Sequence, residues 1–317
     1  MRRAGQWMLA LVVVATVAAP WLAPNAPDDR FPDLLYAPPT VPHLSAQGVQ
    51  IYPLRLVSRL ERRFADDRDH PSAVHWLRNG RLVSADAPLL LLGADAYGRD
   101  ILARLLYGAR VTLALAVLAT MVAMLIGGVL GGVAGYAGGW LDELLSRTSD
   151  FVLVLPVMYV VLALRAVMPL VLPAPAVFAL LAVIFALVGW PAIARGVRGI
   201  VASEREREYV IAGRALGAGA GRVLIRHVLP AAFGHLFTQG TLLLPAFIVA
   251  EATISYVGLG FPDSVPTWGT MLQDATTGTM IADAPWMLAP AAAIFVVVLG
   301  VNLAVQGHGR APVQLEE

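Results

Sequence analysis

The sequence predicts an all-α integral membrane protein with six transmembrane helices, and three features of its composition predict this class. Of the 317 residues, 58% are hydrophobic and 14% are charged, and the mean hydropathy is +0.69. Soluble domains carry about 25% charged residues, so a lipid bilayer is the solvent that this composition fits. All 23 basic residues are arginine, and the sequence contains neither lysine nor cysteine. Composition therefore excludes disulfides, thiolate metal sites and lysine-dependent phosphate loops, and it argues against nucleic-acid binding.

Six stretches supply the predicted helices, since a helix needs about 20 apolar residues to cross the hydrocarbon core. The first, residues 7–23, follows Arg2 and Arg3 and predicts an uncleaved anchor over residues 1–24; a signal peptide ending near Ala18 is the alternative. The other five contain two charges, Glu251 and Arg165, and we expect Arg165 to snorkel to the interface rather than line a pathway. These five are Val111–Leu141, Phe151–Leu172, Ala174–Ala194, His235–Leu259 and Pro285–Gln306.

The distribution of arginine predicts the orientation, because short cytoplasmic connections retain basic residues. Residues 195–234 carry seven arginines, whereas residues 260–284 carry three aspartates and no basic residue. The arginine-rich loop and both termini are therefore predicted to be cytoplasmic, as in a multi-pass protein of the cytoplasmic (inner) membrane. Residues 25–106 balance ten arginines with ten acids and are predicted to be extracytoplasmic, because long loops escape this rule. We expect a core of five helices over residues 107–306 and a cytoplasmic tail over residues 307–317.

One stretch of the extracytoplasmic region has an amphipathic pattern. Leu54, Val57, Leu60 and Phe64 recur at helical spacing and predict a short surface helix. Such a helix would pack on the membrane surface or on the rest of the chain, and contact with a soluble partner is the alternative.

The second predicted span ends in glycines spaced four residues apart. Gly127, Gly131, Gly135 and Gly139 predict a helix-packing face, since small residues let another helix approach closely in lipid. The turn that follows, residues 142–150, carries Asp142, Glu143, Arg147 and Asp150 at helical spacings, which predicts local ion pairs.

The cytoplasmic loop 195–234 has the pattern of a helical hairpin. Ser203 with Glu206 marks a helix start, and a glycine-rich turn from Gly217 ends that helix. A second short helix, Arg222–Val228, is expected to stop before Leu229 and Pro230. Such a hairpin can enter a cleft on another protein, and a hairpin without a partner is the alternative.

These residues resemble a known family. The run EYVIAGRALGA at 208–218, followed by RHVLP at 226–230, is similar to the coupling loop, or EAA motif, of binding-protein-dependent ABC importer permeases. Ile211 and Gly213 depart from it, standing where the broad family motif has an acid and its second alanine. Further runs resemble the second-subunit type of the dipeptide and oligopeptide class: GAD at 93–95, GRD at 98–100, LYGAR at 106–110, GYAGGWLD at 135–142, AEA at 250–252, GLG at 258–260, PTWG at 266–269 and APW at 284–286. The resemblance covers about residues 91–303, and the tail from residue 304 does not follow it.

The resemblance implies a type I ABC importer permease fold with a cytoplasmic coupling helix. It implies a homologous permease subunit as a heterodimer partner, two ATPase subunits that bind ATP and Mg²⁺, and an extracytoplasmic solute-binding protein. Residues 261–286 are a candidate surface for that protein, and anchoring of their tryptophans at the membrane interface is the alternative. This chain would then bind no cofactor and hold no catalytic or metal site, and its helix 204–216 would seat in a groove of one ATPase. The residues expected to couple it to the ATPase are Glu204, Glu208, Tyr209, Ala212, Arg214, Ala215, Leu216, Gly217, Leu229 and Pro230.

Glu251 and Ser255, one turn apart in the fifth span, are candidate pathway residues, because an acid within a span is costly and often functional. A hydrogen bond between the two side chains is the alternative. Two other classes fit the sequence less well. An ion-coupled secondary transporter is expected to show more intramembrane acids and two matching halves, and a membrane enzyme needs a metal or nucleophile pattern. The solute stays open between di- or oligopeptides, nickel chelates and other small solutes.

Overall fold

The structure, a computed structural model, describes residues 1–45, 48–58, 61–78, 80–167, 172–276 and 283–305. The described residues are mostly helical and belong to two compact units. The first unit comprises Met1–Leu113 and Glu251–Glu317, and the second comprises Ala114–Ala250. The predicted tail, the side chain of Arg165 and Leu60 lie outside what the structure describes.

Residues 23–100 separate the second helix from the third, and the other helices follow one another more closely along the chain. Two of the breaks coincide with a residue that interrupts a helix: Pro20 lies at the start of the second helix, and Gly138, with φ +67°, precedes the fourth. In chain order they are α1 (Arg2–Val17), α2 (Ala19–Leu22), α3 (Ile101–Ala137), α4 (Gly139–Val154), α5 (Val157–Val167), α6 (Ala174–Glu204), α7 (Glu208–Ala215), α8 (Ala220–Val223), a π-helical turn (Leu224–Val228), a 3₁₀ turn (Leu229–Ala232), α9 (Phe233–Tyr256), α10 (Trp268–Ala275), a second 3₁₀ turn (Pro285–Leu288) and α11 (Ala289–Val305).

Four helical stretches among the described residues are long and apolar enough to cross a membrane: Ile101–Ala137, Ala174–Glu204, Ala220–Tyr256 and Pro285–Val305. They correspond to the second, fourth, fifth and sixth predicted spans, although the second and fifth end before the predicted Leu141 and Leu259. The first predicted span contains α1, which has 16 residues, and the third is divided at Pro156 into the end of α4 and the 11-residue α5. The total of six spans therefore stays a prediction.

Within the described residues, six strands occupy the predicted extracytoplasmic region, so the prediction of an all-α protein is wrong there. A four-stranded antiparallel sheet has the order β1–β2–β5–β6, and β3 pairs with β4 in a separate hairpin. The strands are β1 (His43–Ser45), β2 (Gly48–Ile51), β3 (Leu54–Ser58), β4 (Arg63–Asp66), β5 (Ser72–Arg78) and β6 (Arg81–Ala85).

The amphipathic helix expected over residues 54–64 is also wrong, because this stretch forms β3 and β4. Leu56 lies opposite Phe64 across the hairpin, and Leu54 lies opposite Asp66. Leu54 and Phe64 both pack against a cluster that contains the buried Leu34 and Leu90. Packing of two strands onto one apolar cluster thus outweighs the helical spacing of the same apolar residues.

The second unit has a core shared by its long helices and the predicted cytoplasmic loop. Ile193, Val197 and Val201 of α6 are fully buried at intervals of four residues. Side chains from the loop complete this cluster: Val210 of α7, Val223 of α8, Val228 and Ala232. The loop is therefore packed against the helices that it connects.

Candidate coupling site

The first arm of the predicted hairpin begins later than expected. Helix α6 continues to Glu204 because its buried face continues through Val201, so Ser203 starts no helix. Residues 205–207 form a non-helical turn, and α7 then begins at Glu208. The expected helix 204–216 is thus wrong at its start, and Glu204 ends the preceding helix.

The first arm ends at Gly217, as the sequence predicts. Gly217 has φ +83°, a left-handed conformation that glycine adopts without strain. The amide of Ala218 donates to the carbonyl of Gly213 at 3.1 Å, and the amide of Gly217 donates to the carbonyl of Arg214 at 2.9 Å. This pair of bonds is the Schellman motif, which satisfies carbonyls at a helix end.

The second arm is not a separate short helix that stops before Leu229, so that expectation is wrong. Helical structure continues from Ala220 to Tyr256, through the π turn and the 3₁₀ turn into α9. Pro230 lies in the first turn of the 3₁₀ segment and has no amide to donate. The helix accommodates this missing donor by changing its winding around Pro230 rather than by ending.

Helix α7 buries one side chain and presents the rest to the surface. Val210 is 1% exposed, whereas Leu216 is 89%, Ile211 56% and Tyr209 49% exposed. We call the exposed residues of α7 and its C-terminal turn the coupling surface; it comprises Glu208, Tyr209, Ile211, Ala212, Arg214, Ala215, Leu216 and Gly217. Of the other three predicted residues, Pro230 is exposed, and Glu204 and Leu229 are half-buried. The structure thus places most of the predicted coupling residues on one small element.

Polar contacts fix α7 to its surroundings. The Tyr209 hydroxyl donates to Glu204 Oε2 at 2.7 Å, and this hydrogen bond raises the pKa of Tyr209 above its ordinary value. The Arg214 guanidinium lies 4.8 Å from the ring centroid of Tyr136, near the end of α3. Contacts of Glu204 and Arg214 therefore help to hold α7 against the rest of the second unit.

Three of the four ladder glycines lie where α3 meets α6. A Cβ atom on Gly127 would lie 2.7 Å from the Trp190 carbonyl oxygen, and one on Gly135 would lie 2.5 Å from that of Arg198. A Cβ on Gly131 would overlap the Ala194 backbone. Gly139 instead begins α4, with φ +61° and open space around its Cα.

Ion pairs join α4 to α6, and the expectation of purely local pairs is wrong for two of the four residues. Arg198 Nη2 donates to Asp142 Oδ2 at 2.7 Å, and Arg195 pairs with Asp150. The hydrogen bond from Arg198 holds the pKa of Asp142 below its usual value. Glu143 and Arg147 form the expected local pair. The sequence gives no signal for the α4–α6 pairs, because their partners are more than 40 residues apart.

The candidate pathway residues lie in the interior of the first unit. The Glu251 side chain is fully buried, and its Oε1 accepts from the Ser255 hydroxyl at 2.8 Å. Its Oε2 accepts from the Thr112 hydroxyl at 3.0 Å, and Thr112 Oγ1 in turn accepts from the Trp268 amide at 3.3 Å. The network links α9 to α3 and to the start of α10.

A buried ionic cluster in the first unit is absent from the sequence-based expectations. Arg99 donates to Asp95 Oδ2 at 2.6 Å and to Asp274 Oδ2 at 2.7 Å, and Arg99 is 1% exposed. Arg104, fully buried, lies beside the same Asp95 carboxylate at 3.7 Å. Residues 95 and 99 belong to the GAD and GRD runs, whose spacing of four is the only sequence signal for the cluster.

Comparisons with known proteins agree with these observations. A family model described as "Binding-protein-dependent transport system inner membrane component" matches residues 127–310. The chain is 36% identical to the dipeptide transport system permease protein DppC of Alkalihalophilus pseudofirmus, over 74% of this chain and 69% of that protein. It is 35% identical to the oligopeptide transport system permease protein OppC of Bacillus subtilis, over 75% and 70%. It is 30% identical to the di/tripeptide transport system permease protein DppC of Pseudomonas aeruginosa, over 94% and 83%.

Proposed function

Because the chain belongs to the family of binding-protein-dependent transport system inner membrane components, we propose that it is the permease subunit of an ATP-driven importer of di- or oligopeptides. The observation that carries this proposal is the coupling surface. Helix α7 buries Val210 in the core of the second unit and leaves Tyr209, Ile211 and Leu216 exposed. Exposed apolar side chains grouped on one short helix are typical of a surface that docks into a groove of a partner.

The coupling surface would transmit movement rather than perform chemistry. Val210 of α7 and Val223 of α8 share one buried cluster with Val197 and Val201 of α6. A close-packed core shifts as a body, so displacement of α7 would carry α6 with it. Closing of an ATPase pair around bound ATP and Mg²⁺ would thus tilt the spans and produce alternating access.

The proposed assembly contains four kinds of subunit and lies in a lipid bilayer. We propose that this chain pairs with a homologous permease, that two ATPases dock at the cytoplasmic face, and that a solute-binding protein delivers the peptide outside. The arginine-rich loop supports a cytoplasmic position of the coupling surface. The names of the relatives, which transport dipeptides, oligopeptides or di- and tripeptides, support peptide as the solute.

Leu216→Asp tests the docking role directly. Leu216 is 89% exposed, so the substitution leaves the buried core intact but places a charge on the apolar surface. We expect loss of peptide-stimulated ATP hydrolysis and of co-purifying ATPase, with normal membrane insertion. The assay is ATPase activity of the reconstituted complex with and without loaded binding protein.

Leu44→Asp is the matched control, because Leu44 of β1 is also 89% exposed. Its complex should keep both the ATPase subunits and the stimulation. If Leu216→Asp retains full stimulation, the coupling surface does not dock an ATPase and the proposal is wrong.

For Glu251 and Ser255 a role in the peptide pathway stays a prediction. Complete burial of Glu251 and its two hydroxyl partners favour a structural role within the first unit. The two roles differ in their effect on substrate affinity.

A further inference from the structure

An apolar groove of about 530 Å³ lies in the first unit, beside the β5–β6 hairpin. The groove is lined by apolar side chains, which come from the hairpin, from α2, from the first turns of α3 and from Leu91 in the segment between β6 and α3. They include Leu22, Trp76, Leu77, Leu82, Leu102 and Leu106. Among the lining side chains, the indole of Trp76 alone carries a hydrogen-bonding group, so the groove lacks the polar contacts of a usual protein–protein interface.

The hairpin presents its apolar side chains outward. Trp76 is 64%, Leu77 is 76% and Leu82 is 41% exposed. Leu77 has φ +54°, in the left-handed region that non-glycine residues rarely adopt. A water-facing hairpin gains nothing from large apolar side chains at such a position, whereas a lipid-facing hairpin buries them.

The groove is continuous with α3, which is long and apolar enough to cross a membrane. Leu102 and Leu106 lie in the first turns of α3, and Leu22 ends α2, which packs against β6. The Arg81 guanidinium donates to the Pro24 carbonyl, which fixes the hairpin beside the end of α2. The hairpin is therefore attached beside the C-terminal end of α2, close to the start of α3.

Aromatic and arginine side chains also occur on α2 and α3. Trp21 of α2 is 56% exposed, and Arg110 lies 5.2 Å from the ring centroid of Tyr107. Tryptophan and tyrosine concentrate at membrane–water interfaces, and arginine reaches the headgroups from there. Trp76, flanked by Arg78 and Arg81, has the same composition.

We propose that the β5–β6 hairpin lies on the outer leaflet of the membrane, with Trp76 and Leu77 at the headgroup–acyl boundary and a lipid acyl chain in the groove. The contact anchors part of the extracytoplasmic region to the bilayer. It requires that the chain spans a membrane but does not depend on which solute is transported.

The absence of cysteine from the sequence makes a single-label test direct. Leu77→Cys is labelled with an environment-sensitive fluorophore, and the transporter is assembled with cysteine-free partner subunits in lipid vesicles. We expect blue-shifted emission and loss of more than half of the fluorescence when the vesicles contain lipids spin-labelled near the headgroup. Leu44→Cys, in β1 of the same sheet, is the matched control and should respond to aqueous iodide instead.

Leu82→Cys, on the paired strand β6, guards against local distortion by the first label and should give the same lipid quenching. Quenching of the Leu77 label by iodide to the extent seen at Leu44 would place the hairpin in water and overturn the proposal. Protection from both iodide and labelled lipid would assign the groove to a protein partner, and it would overturn the proposal equally.

Discussion

In the part of the chain that the structure describes, the Glu251 carboxylate accepts hydrogen bonds from the hydroxyls of Thr112 and Ser255. Replacing it by alanine would leave the hydroxyls of Thr112 and Ser255 without their acceptor, at a cost of about 1–3 kcal/mol. We expect Glu251→Ala to lower the unfolding temperature of the purified complex, measured in detergent. Glu251→Gln keeps the shape and one acceptor, so its loss should be smaller.

The same pair of variants separates packing from transport. If Glu251 only holds α9, α3 and α10 together, Glu251→Gln should transport peptide with an unchanged KM. A raised KM at unchanged thermal stability would instead place Glu251 in the peptide pathway. Transport into vesicles at several peptide concentrations gives the KM.

At the scale of secondary-structure elements, the contact between α3 and α6 depends on the absence of a side chain at Gly131. In Gly131→Ala the added Cβ overlaps the Ala194 backbone, and overpacking of this kind costs about 1–3 kcal/mol. We expect lower resistance of the protein to denaturing detergent, measured as the midpoint of unfolding.

Gly128 on the same helix supplies the control, since a Cβ there would lie 3.6 Å from Leu236 Cδ2, an ordinary contact. Gly128→Ala also gains helix propensity of about 1 kcal/mol, so its midpoint should stay the same or rise. Equal behaviour of the two variants would contradict a packing role for Gly131.

Element boundaries show where sequence patterns stop being informative. Gly217 ends α7 because its left-handed backbone is a local property, which the sequence carries in one residue. The start of α7 depends on how far the buried face of α6 extends, and Val201 reaches its buried position only through packing against other elements. The strands β3 and β4 cannot be predicted from local spacing for the same reason. Leu54 and Phe64 pack on one cluster whose buried residues, such as Leu34 and Leu90, lie far from them in the sequence.

At the scale of the whole molecule, the arginine distribution predicts that residue 222 and residue 44 lie on opposite sides of the membrane. Single-cysteine variants Arg222→Cys and Leu44→Cys can be treated with a membrane-impermeant maleimide. We expect Leu44→Cys to react from outside and Arg222→Cys to react only after the membrane is permeabilised. Reaction of Arg222→Cys from outside would invert the predicted orientation and remove the coupling surface from the ATPase side.

The membrane-protein class and the transport function could be predicted, because both depend on hydropathy and on a loop motif that lie within short stretches of the sequence. The long apolar helices α3, α6 and α9 follow from their uninterrupted apolar residues. The ion pair Arg198–Asp142 joins residues 56 positions apart, and Arg99–Asp274 joins residues 175 positions apart. No local sequence pattern predicts pairs of this kind. The strands of the predicted extracytoplasmic region could not be predicted either, because its mixed polar composition masks the alternation of polar and apolar residues that is typical of a strand.

The π-helical turn over Leu224–Val228 has a mechanical consequence for the arm that precedes it. A π turn accommodates an extra residue within a helix. Rewinding it to α geometry would rotate α8 about the helix axis by about 100°, the angle of one residue in an α-helix. Rewinding of this turn, next to Pro230, would therefore turn the coupling surface in a new direction. Helix α9, which follows Pro230, would keep its position.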